Sequence, residues 1–275
     1  MAKRIFLFLV VNLLGVLTVS VLTAVLSQVF GIQLGGGMVG LAIFCGIFGM
    51  TGAFISLAIS RWMAKRMYSI RLIGPGERDP GLQNLYQMVL RLATRANLPM
   101  PELGIYESPE PNAFATGPSK KSSLVAFSTG LLQQMDQREV EAVAAHEISH
   151  IANGDMVTMT LLTGVANALV MFLARIVAGI IDTFLRGDDE EEGGLGFFAH
   201  MMVVMVLESL LMMLAYIPIA YFSRQREFRA DAGGARLTSA HAMAAALSSL
   251  GKLFTGETQK DSLAVAKISS GKRLS

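Results

Sequence analysis

Four apolar runs decide what this chain can fold into. Residues 5–30, 38–60, 157–181 and 195–222 each reach the roughly 20 residues that a helix needs to cross a bilayer. A chain of 275 residues with mean hydropathy +0.50 and only 16% charged residues is too apolar for an ordinary soluble domain. The first run follows Lys3-Arg4 and is longer than the roughly 7–15 apolar residues of a signal-peptide core, so it reads as a retained anchor. The fourth is rich in methionine (Met201, Met202, Met205, Met212, Met213), which reads as lipid-facing or packing surface rather than a metal-binding box. A net charge of +2 without a basic stripe gives no reason to expect a nucleic-acid partner. Cys45 is the single cysteine, which excludes an internal disulfide and a cysteine-rich metal site, so any metal must be held by histidine and carboxylate.

Loop charge orients the runs. Lys3 and Arg4 precede the first; Arg61, Lys65, Arg66 and Arg71 follow the second; Arg224, Arg226 and Arg229 follow the fourth. The two other connections are uncharged (31–37) or carry the acidic run Asp188 to Glu192. The positive-inside rule thus puts both termini and residues 61–156 in the cytosol and the acidic run in an external loop. The expected organisation is two transmembrane helices in 1–60, a cytosolic domain in 61–156, two transmembrane helices in 157–222, and a cytosolic completion of that domain in 223–275.

Within 61–156 the punctuation is dense. Gly74-Pro75-Gly76 and Asp79-Pro80-Gly81 mark turns. Residues 82–98 read as an amphipathic helix with Leu85, Val89, Leu92 and Ala93 on one face, stopped by Pro99. Strands are expected at 103–106, 113–116 and 123–128. Asp136 followed by Glu139 resembles a capping box opening a further helix, and Asn153-Gly154 suits its end. The result is an α+β domain carrying a small sheet.

That helix carries His146-Glu147-Ile148-Ser149-His150. Residues four apart share a helix face, so His146 and His150 can offer two imidazole nitrogens to one metal ion. Glu147 is placed to take a proton from a water on that ion. The chemistry implied is zinc-assisted hydrolysis; the alternative is a surface helix bearing two solvated histidines. A catalytic zinc takes three protein ligands, and topology narrows the third. His150 lies about 10 Å before the third span and Glu227 about 7 Å beyond the fourth, at 1.5 Å per helical residue. Glu227 can therefore be the ligand, or a surface carboxylate among arginines. Asp231, one turn on, can orient an imidazole or lie solvated. His200 falls on the far side of the membrane and His241 in an alanine-rich helix at 239–254, so neither competes. Arg175 and Glu208 are charges inside spans at depths differing by about 6 Å, and unpaired intramembrane charges are costly, so a pair between adjacent helices is expected.

The stretch from His146 to Asp155 and the stretch Ser223-Arg-Gln-Arg-Glu-Phe-Arg-Ala-Asp231-Ala232, separated by a hairpin of spans, together with Pro111 to Gly117, resemble the HtpX-type integral-membrane zinc metalloproteases, relatives of the CAAX prenyl protease. The likeness covers nearly the whole chain. It implies four transmembrane helices with a mainly helical, zincin-type cytosolic catalytic domain. It implies one Zn2+ per subunit on His146, His150 and Glu227, with Glu147 as general base and Asp231 orienting a ligand. Asn112, Ala113 and Phe114 would lie on an edge strand beside the cleft, where a substrate peptide adds as an extended strand. The implied role is endopeptidase quality control of misfolded or damaged membrane proteins, under stress, at the bacterial cytoplasmic (inner) membrane. The partners implied are those substrates, the lipid bilayer and other membrane proteases. Family members also carry a C-terminal His-Pro motif with a candidate oxyanion donor; these 275 residues lack it, and loss of such a donor is expected to cost about 10²–10³ in rate.

Overall fold

The computed structural model describes residues 37–186, 194–251 and 253, with isolated helical positions at 21, 25 and 28. The rest of the expected first span, the acidic run 188–192 and the C-terminal residues lie outside the described residues. Two units emerge: residues 1–60 with 156–225, and residues 61–155 with 226–275.

The first unit is built from long apolar helices. Among the described residues three helices are long and apolar enough to span a bilayer: α1 (Gly37–Met67), α5 (Asp155–Arg186) and α6 (Phe197–Leu237). Helices are the expected solution, because in hydrocarbon every backbone N–H and C=O must be satisfied within the segment. Small residues let α1 and α5 approach closely: a Cβ added to Gly49 would stand 2.9 Å from that of Ala168. Met201, Met202, Met205 and Met213 all point outward from α6, as a lipid-facing surface would. Each helix outruns its apolar stretch, and α6 continues without a break from Phe197 to Leu237.

The second unit is a four-stranded mixed sheet with helices. Its strands are β1 (Arg71–Ile73), β2 (Glu102–Tyr106), β3 (Ala113–Ser119) and β4 (Ser122–Ser128), in the order β1-β2-β4-β3. β2 and β4 run parallel; the other two pairings are antiparallel. β4 is central, and Leu124, Val125, Ala126 and Phe127 are fully buried, the continuous apolar run of a strand covered on both faces. β3 is an edge strand. It runs on to Ser119, past the expected end at Thr116, because an edge tolerates Pro118, which cannot donate to a ladder. The register shifts between Thr116 and Ser119 to accommodate it.

Helix α2 (Pro80–Arg95) starts two residues earlier than its apolar stripe suggested. Asp79 caps it, accepting from the N–H groups of Gly81 (2.8 Å) and Leu82 (3.1 Å), and Pro80 occupies the first turn, where its missing N–H costs nothing. Leu85, Met88, Val89, Leu92 and Ala93 form its buried stripe. A short helix α3 (Thr129–Gln134), not anticipated, follows β4. Helix α4 (Gln137–Asn153) opens with the expected capping box: Asp136 accepts from Glu139 N–H at 2.9 Å and Glu139 accepts from Asp136 N–H at 2.9 Å. It ends at Gly154, whose φ of 72° is the left-handed conformation glycine adopts without penalty. The last helix among the described residues, α7, covers residues 240–251. The Ser249 hydroxyl donates to Glu139, tying α7 to the start of α4.

Candidate metal centre

Two helices build the centre. α4 presents His146, Glu147 and His150; the last turns of α6 present Glu227 and Asp231, themselves four apart and so on one face. The helices meet over small residues. A Cβ on Gly233 would sit 2.6 Å from Ser149 Oγ, and one on Gly234 would sit 3.1 Å from the backbone nitrogen of His146. Side chains there would push the carboxylate-bearing helix away from the histidines.

The ligating atoms converge. His146 Nε2 and His150 Nε2 are 3.1 Å apart, and Glu227 Oε2 lies 3.3 Å from the first and 3.4 Å from the second. Tetrahedral zinc with metal–ligand bonds of about 2.0–2.2 Å requires ligand–ligand edges of about 3.3 Å. The donor triangle therefore has the size that an ion would need, and its chemistry, two imidazoles and a carboxylate with no sulfur, suits a catalytic divalent ion with one position left open. His200 and His241 are not part of it.

Each imidazole is fixed from behind. His146 Nδ1 is 2.9 Å from Asp231 Oδ1, and His150 Nδ1 is 2.7 Å from Asp155 Oδ2. A ring that donates its Nδ1 proton to a carboxylate keeps the Nε2 lone pair free for a metal. Asp155 has 2% exposure and follows directly on the left-handed Gly154, which turns the chain so that an aspartate five residues on comes back beneath His150. Sequence reasoning assigned Asp155 no role; its signal was the histidine–glycine–aspartate spacing. Arg226, which the sequence marked only as an orienting charge, donates to Glu227 Oε1 from Nη2 (2.8 Å) and Nε (3.2 Å), leaving Oε2 facing the imidazoles.

Glu147 is 9% exposed. Burial pushes its carboxyl up to about 7, against the opposing pull of the neighbouring His146 and a hydrogen bond from the Ala115 backbone. That bond brings β3 against the site. Asn112 immediately precedes β3 and exchanges hydrogen bonds with Ser128: its N–H donates to the serine Oγ (2.9 Å) and its carbonyl accepts from the serine N–H (2.9 Å). Ala113 and Phe114 open the strand, and the Phe114 ring lies 5.3 Å from that of Tyr68. In the described sheet, β3 has a neighbour on one side only. A cavity of about 160 Å³ adjoins Asn112, Ala113, His146 and Glu147. A larger one, about 540 Å³, is lined by residues of α2, α3 and the start of α4 and touches none of these groups.

In the first unit Arg175 Nη1 donates to Glu208 Oε1 at 2.7 Å and to the Met171 carbonyl at 2.9 Å, so the two span charges meet.

Two histidines one helical turn apart, a glutamate from a second helix and a buried glutamate beside them define a metallopeptidase centre. Residues 82–268 match peptidase family M48. Over 248 residues the chain is 54% identical to Protease HtpX of Shewanella oneidensis, covering 90% of this chain and 84% of the relative. Protease HtpX of Shewanella loihica is 53% identical over the same length. The crystal structure of S. mikatae Ste24p shares the fold, with a TM-score of 0.58 at 19% identity, over 87% of this chain and 60% of that one. The chain belongs to peptidase family M48 and is a metalloprotease.

Proposed function

We propose that this protein is a zinc endopeptidase of the bacterial cytoplasmic membrane that hydrolyses peptide bonds of misfolded or damaged membrane proteins. The observation that carries the reading is the donor triangle of His146, His150 and Glu227, with edges of 3.1–3.4 Å, beside the buried Glu147.

In this reading His146, His150 and Glu227 hold the ion. Zinc bound there supplies Lewis acidity, acidifying a water and polarising the scissile carbonyl. Asp231 and Asp155 would keep both imidazoles in the ligating tautomer, and Arg226, by donating to one oxygen of Glu227, would leave the other oxygen available to the ion. Glu147 takes a proton from the attacking water on its carboxylate and returns it to the leaving amine. The free edge of β3, beginning at Asn112, Ala113 and Phe114, offers backbone donors and acceptors to an extended substrate, which adds as a further strand.

Membrane substrates are supported by the three apolar helices of the same chain and by the likeness to HtpX-type proteases. We assign four transmembrane helices, counting residues 5–30 as the first, with residues 61–156 and 223–275 forming one cytosolic catalytic domain. The lysines and arginines at 61–71 and 224–229 support that orientation. Quality control under stress, alongside other membrane proteases, follows from the same reading.

The test uses the full chain purified in detergent. Zinc bound one per chain, with cleavage of an unfolded membrane-protein reporter that stops on chelation and returns with zinc, is the expected result. A protein that binds no zinc, or that cleaves equally well after chelation, would overturn the reading.

A further inference from the structure

The 160 Å³ cavity beside Glu147 has walls of two kinds. One rim belongs to the centre itself: His146, Glu147 and, across from them, Asn112 and Ala113. The interior is apolar, formed by Leu131, Val143, Met243 and Ala246, which are 1–8% exposed and therefore held in place by packing. Val143 lies one helical turn before Glu147 on α4, so the floor of the cavity and the carboxylate share a helix face. α7 supplies the opposite wall through Met243 and Ala246, and the bond from Ser249 to Glu139 fixes that helix against α4.

From this we propose that the cavity is a specificity pocket which takes the side chain of the substrate residue flanking the scissile bond and selects an apolar one of leucine, methionine or phenylalanine size. The inference rests on the endopeptidase reading above and names its substrate class. Location gives the first part: a peptide lying along β3 with its carbonyl at the histidines has only the residues next to that carbonyl within reach of a pocket bounded by Ala113 and Glu147. Volume gives the second, since an apolar cavity of about 150 Å³ accommodates benzene, the size of a phenylalanine ring. Chemistry gives the third. A charged side chain buried among Leu131, Val143 and Ala246 would lose its hydration and find no partner except the centre's own groups. Such a pocket favours the leucine- and phenylalanine-rich segments that an unfolded membrane protein exposes.

The experiment compares kcat/KM for fluorogenic peptides identical except at the residues flanking one cleaved bond, varied among Ala, Leu, Phe, Asp and Lys. The zinc-loaded full chain in detergent is used, with cleavage positions mapped by mass spectrometry. At one flank, Leu and Phe are expected to exceed Ala by about tenfold or more, the discrimination an apolar pocket achieves over a few methylenes, and Asp and Lys to fall below Ala. Ala246→Met fills the cavity and should collapse the Phe-to-Ala ratio towards one; Val143→Ala deepens it and should raise the Phe-to-Leu ratio. Because each readout is a ratio within one sample, partial loss of folded protein cancels. Equal cleavage of all peptides by the unaltered chain, or unchanged ratios in both variants, would overturn the pocket alone. Cleavage of no peptide would overturn the endopeptidase reading and the pocket with it.

Discussion

Arg226 grips Oε1 of Glu227 through two nitrogens, at 2.8 and 3.2 Å, and thereby turns Oε2 of the same carboxylate to face both Nε2 atoms of the histidines. Two donors on one oxygen fix the carboxylate's rotation in a way that its own helix cannot. Arg226→Met is expected to free the carboxylate and weaken zinc binding about tenfold or more, the range seen when groups that orient metal ligands are removed. Arg226→Lys should recover only part of that loss, because an ammonium lacks the planar fork. Competition with a fluorescent chelator measures both; identical affinities in all three proteins would mean that Arg226 does not orient the ligand.

Asp155 and Asp231 should not be equal in effect. Asp155 is buried at 2% exposure, whereas the Asp231 side chain is 31% exposed. Removing Asp155 strands the Nδ1 donor of His150 where water cannot replace the carboxylate, while Asp231→Ala lets solvent reach His146. Losses in zinc affinity of about 10–100-fold are expected for such partners, with Asp155→Ala at the severe end and Asp231→Ala at the mild end. The same chelator competition would reveal a reversed order.

Glu147→Gln keeps the size and burial of the side chain but removes its proton-accepting oxygen. Zinc content is expected to stay at that of the unaltered chain while peptide cleavage falls by about 10²–10⁴, the usual contribution of a general base. Zinc analysis by mass spectrometry and a single-turnover cleavage assay read the two halves separately. Undiminished cleavage would remove Glu147 from the proton-transfer role.

The pair of Arg175 and Glu208 invites a double-mutant comparison. Either single change to leucine leaves a charge unpaired among apolar helices, at a cost of about 2.5–3.5 kcal/mol for a residue near the helix centre. The double change leaves none. Thermal unfolding in detergent should therefore rank the double variant above both singles. If Arg175→Leu were harmless and Glu208→Leu ruinous, the two charges would have to be serving separate purposes.

What could be read from the sequence was what depends on short-range periodicity. His146 and His150 share a face because they are four apart. The capping box at Asp136 and Glu139 and the stop at Gly154 are local chemistry, and the observed helix keeps those limits. Glu227 lay open between ligand and surface carboxylate because counting residues from a membrane boundary gives depth along a helix but not the direction a side chain faces. That direction comes from the contact at Gly233 and Gly234, 84 or more residues from the α4 atoms they meet. Asp155 was illegible for the opposite reason: it is close in sequence, but its place beneath His150 depends on one left-handed residue. β1 has three residues, too few for an alternation to register. Asn97, at φ 53°, ends the turn after α2 before the proline that looked like the stop.

The split of the second unit, residues 61–155 and 226–275 with the α5–α6 hairpin between, makes the order of synthesis matter. A ribosome that has delivered 225 residues has made both histidines, the glutamate beside them and Asp155, yet no third ligand. Whatever a half-finished chain meets while its hairpin is still being laid down, it meets as a protein unable to close its metal site. A metalloprotease whose candidate site is divided in this way stays without its second helix of donors until the apolar hairpin has been made.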